Sequence, residues 1–193
     1  MDNFLIEIAN SDHLQYAYEL SMQYQISAQV RGTGIAQRRP EYIMKKINSG
    51  NAVIATIKNE LAGFCYIETF KSPDYVSNSG LIVLPKFRGN SLASRIKEKI
   101  FEHARNKYPD ARVIGITTSS KVMKINSDLG YRPVALPELT TDKEFLDACS
   151  SCSNYDILMR NQRKMCLCTG MMAPSQNSIA DLQQTLKTQK QNP

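Results

Sequence analysis

The sequence predicts a mixed α/β fold with a central, mostly antiparallel sheet flanked by helices. Two stretches rich in β-branched residues, 51–57 and 61–70, meet at a short polar turn and predict an antiparallel hairpin. A short apolar strand at residues 79–84 then leads into a helix whose buried stripe is spaced by four residues. A hairpin followed by alternating strands and helices indicates a sheet covered by helices.

The remaining elements follow from local patterns. Apolar residues with a 3.6-residue period predict a helix over residues 11–30, and Pro40 suits the first turn of a second helix that ends before Gly50. The helix after residue 91 carries Leu92, Ile96, Ile100 and Ala104 as its buried stripe. Further along the chain we expect strands at 112–117, 131–136 and 155–159, and a helix at 119–129.

Length and composition predict one domain of ordinary globular character. The chain has 193 residues, of which 42% are hydrophobic and 22% charged. We expect a domain over residues 1–170 with a cysteine-rich end at 149–168. Residues 171–193 are then a polar tail, either frayed or forming one short helix.

The charge and the absence of targeting signals narrow the class of protein. Twenty-four Lys and Arg against 18 Asp and Glu give a net charge of +6, which suits a polyanionic partner such as a nucleotide cofactor or a nucleic acid. Single-strand nucleic-acid binders often carry basic runs interleaved with aromatic residues, and this sequence has no such run. No run of 18 apolar residues and no signal-peptide pattern occur, so we expect a cytoplasmic protein without a membrane partner and with mostly reduced cysteines.

The loop before the long helix has the composition of an anion-binding site. Arg88, Gly89, Asn90, Ser91, Leu92 and Ala93 join a buried strand to a helix N-terminus. The first turn of a helix offers unpaired N–H groups and a partial positive charge, and small residues let a pyrophosphate approach. An ordinary strand-to-helix turn with exposed cations is the alternative.

These motifs, in this order, resemble the GCN5-related N-acetyltransferase (GNAT) superfamily. Arg88 and Ala93 match the first and last positions of its acyl-CoA-binding signature, and Leu129-Gly130-Tyr131 resembles its Leu-Gly-Phe. Ser91 stands where the middle glycine is usual, and a serine serves there if its φ is negative. The resemblance covers residues 4–160 and implies a GNAT fold and an acyl-CoA co-substrate.

The resemblance also implies a mechanism, in which an amine attacks the thioester directly. Backbone N–H groups of the signature strand (Leu81, Ile82 and Val83) would bind the acyl-CoA and polarise its carbonyl. Glu68, on the hairpin strand, is the first candidate for general base. The position of the family's usual tyrosine acid holds Asn126, which is a candidate both as a catalytic residue and as a cofactor contact. The leaving thiolate then either needs no acid or uses Tyr131.

A narrower resemblance concerns the acceptor. Ile116-Thr117-Thr118, Leu129-Gly130-Tyr131 and the later Leu136-Pro137 look like the end of the acetyltransferase domain of N-acetylglutamate synthases, and the layout resembles single-domain acyltransferases of Bacteroidetes-type bacteria associated with arginine synthesis. The implied acceptor is glutamate or a related amino acid, and the donor is acetyl-CoA or succinyl-CoA. Arginine binds carboxylates through paired hydrogen bonds. The candidate acceptor contacts are Arg31, Arg38, Arg39, Thr117 and Thr118.

The cysteines allow a second kind of site. Cys149-x-x-Cys152 and Cys166-x-Cys168 together form a candidate structural zinc site with four thiolates. Buried or surface thiols, or a redox pair, are the alternatives, and a catalytic metal is not predicted.

Three other functions remain open from the sequence. The same fold acts on other amines, such as a peptide terminus, a polyamine or another small molecule, and a non-catalytic acyl-CoA-binding protein would share the motif. Nucleic-acid binding would require strong salt dependence and is the least favoured. The oligomeric state is not predicted, and a homodimer is one option.

Overall fold

A computed structural model describes residues 3–31, 38–140 and 143–180 of the chain. Its seven strands form one sheet in the order β1-β2-β3-β4-β5-β7-β6. All neighbouring pairs are antiparallel except β4 and β5, which are parallel. The strands are β1 (Leu5–Ile8), β2 (Ala52–Ile57), β3 (Glu60–Thr69), β4 (Tyr75–Val83), β5 (Arg112–Thr117), β6 (Arg132–Val134) and β7 (Thr169–Ala173).

Helices cover both faces of the sheet. Alternate residues of β2 pack into two separate clusters: Val53 lies with Ile96 and Ile100, while Ile54 lies with Leu20 and Ile43. A third cluster joins the ends of β5 and β7 to the short helices near the C-terminus. The described helices are α1 (Ala17–Arg31), α2 (Pro40–Asn48), α3 (Leu92–Lys107), α4 (Ser120–Asp128), α5 (Leu136–Leu139), α6 (Lys143–Asp147) and α7 (Tyr155–Arg160).

The sheet opens between its two parallel strands. β4 pairs with β5 only at its start, where Tyr75, Val76 and Ser77 face Arg112, Val113 and Ile114. Beyond Ser77, β4 continues along β3 alone. The register between β3 and β4 shifts between Phe64 and Tyr66, so Gly80 and Leu81 both lie opposite Cys65. The two strands therefore leave a gap whose walls carry free backbone edges.

The predicted fold class is confirmed, and most elements lie where the patterns indicate. The strand expected at residues 155–159 is wrong, because that segment is α7. Its first residue follows Asn154, and Asp156 pairs with Arg160 one turn later, as is typical of a helix. The strand expected at residues 131–136 is shorter, since Leu136 already begins α5.

The last strand was not expected. β7 contains threonine, glycine, two methionines and an alanine, a composition with little β-propensity, yet it pairs with β5 on one side and β6 on the other. It includes Met171, where the sequence placed the start of the tail. β1 was also missed, and β4 begins at Tyr75 rather than at residue 79.

No helix in the described part of the chain is long and apolar enough to cross a membrane.

Candidate active site

A large cavity lies at the gap between β4 and β5. Its volume is about 500 Å³, within the range of small-molecule sites. Three walls enclose it: one from α2 and β3, one from β4, β5, α3 and α4, and one from the chain between the start of α6 and β7. Those walls include Arg38, Tyr42, Tyr66, Glu68, Asn78, Gly80, Leu81, Lys97, Thr117, Thr118, Asn126, Phe145, Cys149, Cys152, Cys166 and Cys168.

The α2 and β3 wall carries a network of polar side chains. The Glu68 carboxylate accepts a hydrogen bond from the Tyr42 hydroxyl and forms an ion pair with the Lys46 ammonium. Arg38 donates from Nε to the Tyr66 hydroxyl. Its guanidinium carbon lies 5.6 Å from the ring centroids of both Tyr42 and Tyr66. Charged and aromatic groups therefore hold one another in fixed positions along this wall.

Burial changes the protonation of two members of this wall. Burial, followed by the nearby Lys45 and Arg38 cations, lowers the pKa of Lys46 to about 8. Burial raises the pKa of Tyr66 to about 12, and the Arg38 guanidinium opposes that rise. The Tyr66 phenol therefore stays neutral near neutral pH and accepts the hydrogen bond of Arg38.

The β4 wall is shaped by a glycine. Gly80 has φ +64, and a Cβ there would clash with the Tyr66 ring. Its carbonyl accepts the hydroxyl proton of Tyr24 from α1. The bulge at this point turns Leu81 toward the cavity, whereas Val83 pairs with Gly63 and is not part of the lining.

The opposite wall carries Thr117, Thr118 and Asn126. Thr117 Oγ1 accepts the backbone N–H of Ser119 at 3.0 Å, which starts α4. Asn126 is buried, and its Nδ2 lies 3.5 Å from the Met171 sulfur. Among the described residues, its Oδ1 has no hydrogen-bond partner. A buried acceptor without a donor is costly, so this oxygen is available for a ligand N–H.

Tyr131 lies in the core rather than on the cavity wall. It packs with Phe101 and Ile100 under α3, and its side chain is buried. Its hydroxyl accepts a hydrogen bond from Asn78 Nδ2 at 3.1 Å. Burial raises the pKa of this phenol far above its usual range. These surroundings are typical of a structural tyrosine.

The predicted anion loop precedes α3 as expected, with one difference in its backbone. Ser91 has φ 54 and ψ 15, a left-handed conformation that favours glycine, so the condition of a negative φ, under which a serine serves at this position, is not met. Among the described residues, Ser91 makes no side-chain cap to the first N–H groups of α3, which the helix itself cannot satisfy. Arg88 donates to the Val83 carbonyl at 3.2 Å, and Arg88, Gly89, Asn90 and Ser91 are exposed.

The third wall contains the four clustered cysteines. Cys149, Cys152, Cys166 and Cys168 are free, half-buried thiols on the cavity. Burial and the neighbouring thiols raise the pKa of Cys149 to about 11 and that of Cys168 to about 12. In the described part of the chain, no group of three or more His, Cys, Asp or Glu is arranged to hold a metal ion.

The structure brings some of the predicted site residues together and separates others. Glu68, Arg38, Thr117, Thr118, Leu81 and Asn126 share the cavity. Arg39 precedes α2 and is exposed away from it, and the side chain of Arg31, at the end of α1, lies outside the described residues. Ile82 is buried against α1 and α2.

Sequence reasoning missed five residues of this region: Tyr42, Lys46, Tyr66, Asn78 and Lys97. A signal existed for Lys97, because it stands between Ala93 and Phe101 in a row spaced by four residues beside the buried stripe of α3. Lys46 carries a similar signal, because it directly precedes Ile47, a residue of the buried face of α2.

Fold, gap and anion loop together define a protein that binds an acyl-CoA and transfers its acyl group. Residues 14–122 match the family model described as the acetyltransferase (GNAT) family, which covers more than half of the chain. The chain therefore belongs to the GNAT family and is an acyl-CoA-dependent N-acyltransferase. No curated protein sequence matches it.

Solved structures of the same fold include enzymes with different acceptors. The N-acetylglutamate synthase of Neisseria gonorrhoeae, complexed with coenzyme A and N-acetyl-glutamate, aligns with a TM-score of 0.64 at 16% identity. The alignment covers 91% of this chain and 36% of that one. Rv2747 of Mycobacterium tuberculosis, in complex with CoA and NLQ, aligns with a TM-score of 0.60 at 13% identity. The alignment covers 88% of this chain and 98% of that one.

A third neighbour is the ribosomal-protein-S18-alanine N-acetyltransferase of Escherichia coli, with a TM-score of 0.57 at 10% identity, covering 90% of this chain and 94% of that one. At these identities the similarity shows the shared fold. The chain spans about a third of the length of the Neisseria synthase.

Proposed function

We propose that this enzyme transfers an acyl group from acyl-CoA to the α-amino group of glutamate or a related acidic amino acid, as a step of arginine biosynthesis. The observation that carries the proposal is Arg38. Its guanidinium is on the cavity wall beside Glu68 and is oriented by the Tyr66 hydroxyl. A guanidinium held in this way is suited to bind a carboxylate through two parallel hydrogen bonds.

The acyl-CoA would bind from the α3 side. The open N–H groups of α3 and Arg88 bind the pyrophosphate, and the pantetheine arm enters the gap between β4 and β5. Asn126 Oδ1 and Asn78 Oδ1 are both buried without a partner among the described residues. A pantetheine arm has two amide N–H groups, which match these two acceptors in number and kind.

The acceptor would occupy the wall of α2 and β3. Arg38 binds a carboxylate of the acceptor, and Thr117 and Thr118 add hydroxyl donors from the opposite wall. Glu68, held by Tyr42 and Lys46, then faces the ammonium of the bound amino acid. Because the cavity is also walled by the C-terminal segment, it is suited to a small acceptor.

The chemistry then needs a deprotonation of the acceptor ammonium, a displacement at the thioester and a second proton transfer to the leaving thiolate. Glu68 accepts a proton from the acceptor ammonium, which must become a free amine before it can attack. The free amine attacks the thioester carbonyl, and the Leu81 N–H binds the developing oxyanion. A C–N bond forms, the C–S bond breaks, and CoA leaves as a thiolate that takes up the proton which the acceptor nitrogen releases as it becomes an amide. Holding amine and thioester together can lower the barrier by roughly 7–11 kcal/mol.

The test is acceptor-dependent CoA release, followed as free thiol, with acetyl-CoA and succinyl-CoA against amino acids, polyamines and peptides. We expect release with glutamate, and a rise in its KM of about tenfold or more in Arg38→Met. Arg160→Met is the matched control, because Arg160 is exposed and pairs with Asp156 instead. Release with polyamines or peptides alone would replace this acceptor with another amine. Acyl-CoA binding without turnover on any acceptor would favour a non-catalytic binding protein.

A further inference from the structure

The wall of the cavity nearest α3 contains a buried cation that the proposed reaction does not use. Lys97 is 2% exposed, yet it is part of the cavity lining. Among the described residues, no carboxylate lies within ion-pair distance of its ammonium, and no hydrogen bond from it is formed. Its Nζ lies 5.5 Å from the centroid of the Tyr131 ring, and the buried Cys65 thiol is near enough to interact with it electrostatically.

Burying a lysine ammonium in this position costs the protein free energy unless a bound ligand supplies an anion to pair with it. Burial disfavours the ammonium and lowers the pKa of Lys97. Helix α3 could carry an apolar residue here, as its neighbour Ile96 does. Replacing a buried charge by an apolar side chain of similar volume is often neutral or stabilising. A buried amine that faces a ligand cavity therefore indicates an anionic group of the ligand.

The position of Lys97 shows which part of the ligand it would meet. The ring below it belongs to Tyr131, which bonds Asn78, the first residue of β4 beyond its pairing with β5. The proposed thioester contact, Leu81, is three residues further along the same strand. Lys97 and Leu81 line the same cavity, whereas the loop that would bind the pyrophosphate is exposed at the start of α3. The proposed acyl-CoA site would therefore bring the acyl group, rather than the pyrophosphate, to Lys97.

We propose that Lys97 is a specificity residue that binds the terminal carboxylate of a dicarboxylic acyl group, so that the donor is a succinyl-CoA-type thioester rather than acetyl-CoA. This rests on the proposed acyl-CoA site. An acetyl group has no group that pairs with an ammonium and would leave Lys97 uncompensated. A succinyl group is two carbons longer than an acetyl group and ends in the required carboxylate. A cavity of about 500 Å³ can hold it.

The experiment measures acyl-CoA binding by calorimetry without any acceptor, so that a wrong acceptor does not affect its result. The ligands are succinyl-CoA, acetyl-CoA and butyryl-CoA, the last being an uncharged four-carbon donor. We expect the wild type to bind succinyl-CoA at least about tenfold more tightly than butyryl-CoA. In Lys97→Met this preference should disappear while butyryl-CoA affinity stays within about threefold. Lys99→Met, an exposed lysine of the same helix, should retain the wild-type preference.

Two results would overturn the inference. A wild type that binds succinyl-CoA no better than butyryl-CoA shows that no carboxylate is recognised, and this measurement needs no variant to fold. Equal weakening of all three donors in Lys97→Met would show that Lys97 contacts the part that they share. Failure of glutamate in the turnover assay, with the succinyl preference intact, would remove the proposed acceptor and leave the donor assignment standing.

Discussion

Asn78 donates a hydrogen bond of 3.1 Å to the hydroxyl of Tyr131, directly beside the point where β4 separates from β5. This bond ties the start of the gap to the chain just after α4, which ends at Asp128. Both side chains are buried, and Asn78 Oδ1 has no partner among the described residues. The pair therefore supports the floor of the cavity, while one acceptor of Asn78 stays available.

The first prediction separates this structural role from acid catalysis. Tyr131→Phe removes the acceptor of a buried amide N–H, so the free energy of unfolding should fall by about 1–3 kcal/mol. We expect kcat to stay within about threefold, because Tyr131 is not part of the cavity lining. Tyr42→Phe should instead lower kcat more than it lowers the free energy of unfolding, because the Tyr42 hydroxyl donates a hydrogen bond to Glu68 on the cavity wall. If Tyr131→Phe lowers kcat more than Tyr42→Phe does, Tyr131 is the general acid that protonates the leaving thiolate, and its role is not only structural.

The second prediction concerns the backbone of the anion loop. Ser91 has a left-handed φ of 54, which costs a non-glycine residue roughly 1–2 kcal/mol. Part of this is offset because glycine has more freedom in the unfolded chain. Ser91→Gly should therefore raise the free energy of unfolding by about 0.5–1 kcal/mol, measured by urea denaturation.

Ser94→Gly supplies the comparison for that experiment. Ser94 is exposed within α3, where glycine is unfavourable by about 0.5 kcal/mol relative to serine. The two substitutions are chemically identical and should change stability in opposite directions. Destabilisation by both would mean that Ser91 is not strained.

The sequence predicted elements whose signals are local and missed those that depend on neighbours. The stripe of α3 was clear because Leu92 and Ile96 repeat at helical spacing. β7 has no such signal, since Thr169–Ala173 is a strand only through pairing with β5 and β6. In the site, Arg38 and Glu68 followed from the resemblance. Lys97 was missed because a lysine on an amphipathic helix normally faces solvent.

The third prediction tests Glu68 as the base. Glu68→Gln should lower kcat by about 10²–10⁴, with the loss shrinking as the pH rises past the pKa of the acceptor amine, which then needs no base. Glu60→Gln is the control, because Glu60 is exposed on the same strand and pairs with Lys86. Full kcat in Glu68→Gln at neutral pH would place the base elsewhere.

Loss of the Glu68 carboxylate also leaves Lys46 buried without its anion, so stability must be measured separately. Removing one partner of a buried pair costs about 3–5 kcal/mol, and the half-buried Glu68 places this pair toward the lower end. Adding Lys46→Met to Glu68→Gln should restore much of the stability without restoring kcat. Recovery of both would mean that Glu68 acts through folding alone.

The last prediction concerns the thiols of the cavity wall. The pKa of Cys149 is raised to about 11 and that of Cys168 to about 12, so both remain protonated at pH 8. Only the thiolate reacts with iodoacetamide. At that pH, Cys149 should be alkylated about two hundredfold more slowly in the folded than in the urea-unfolded protein, whose thiols have a pKa of about 8.5.

The pH dependence distinguishes this cause from simple shielding. Labelling of Cys149, quantified by peptide mass spectrometry, should rise about tenfold per pH unit up to about pH 11. Because the folded protein holds these protons more tightly, its stability should be complete below about pH 9 and fall between pH 9 and 11. Cys149→Ser should reduce that fall. Half-maximal labelling of Cys149 near pH 8.5 in the folded protein would show that its thiol has an ordinary pKa. Labelling that becomes faster when a chelator is added would show that a bound metal ion had protected the thiol.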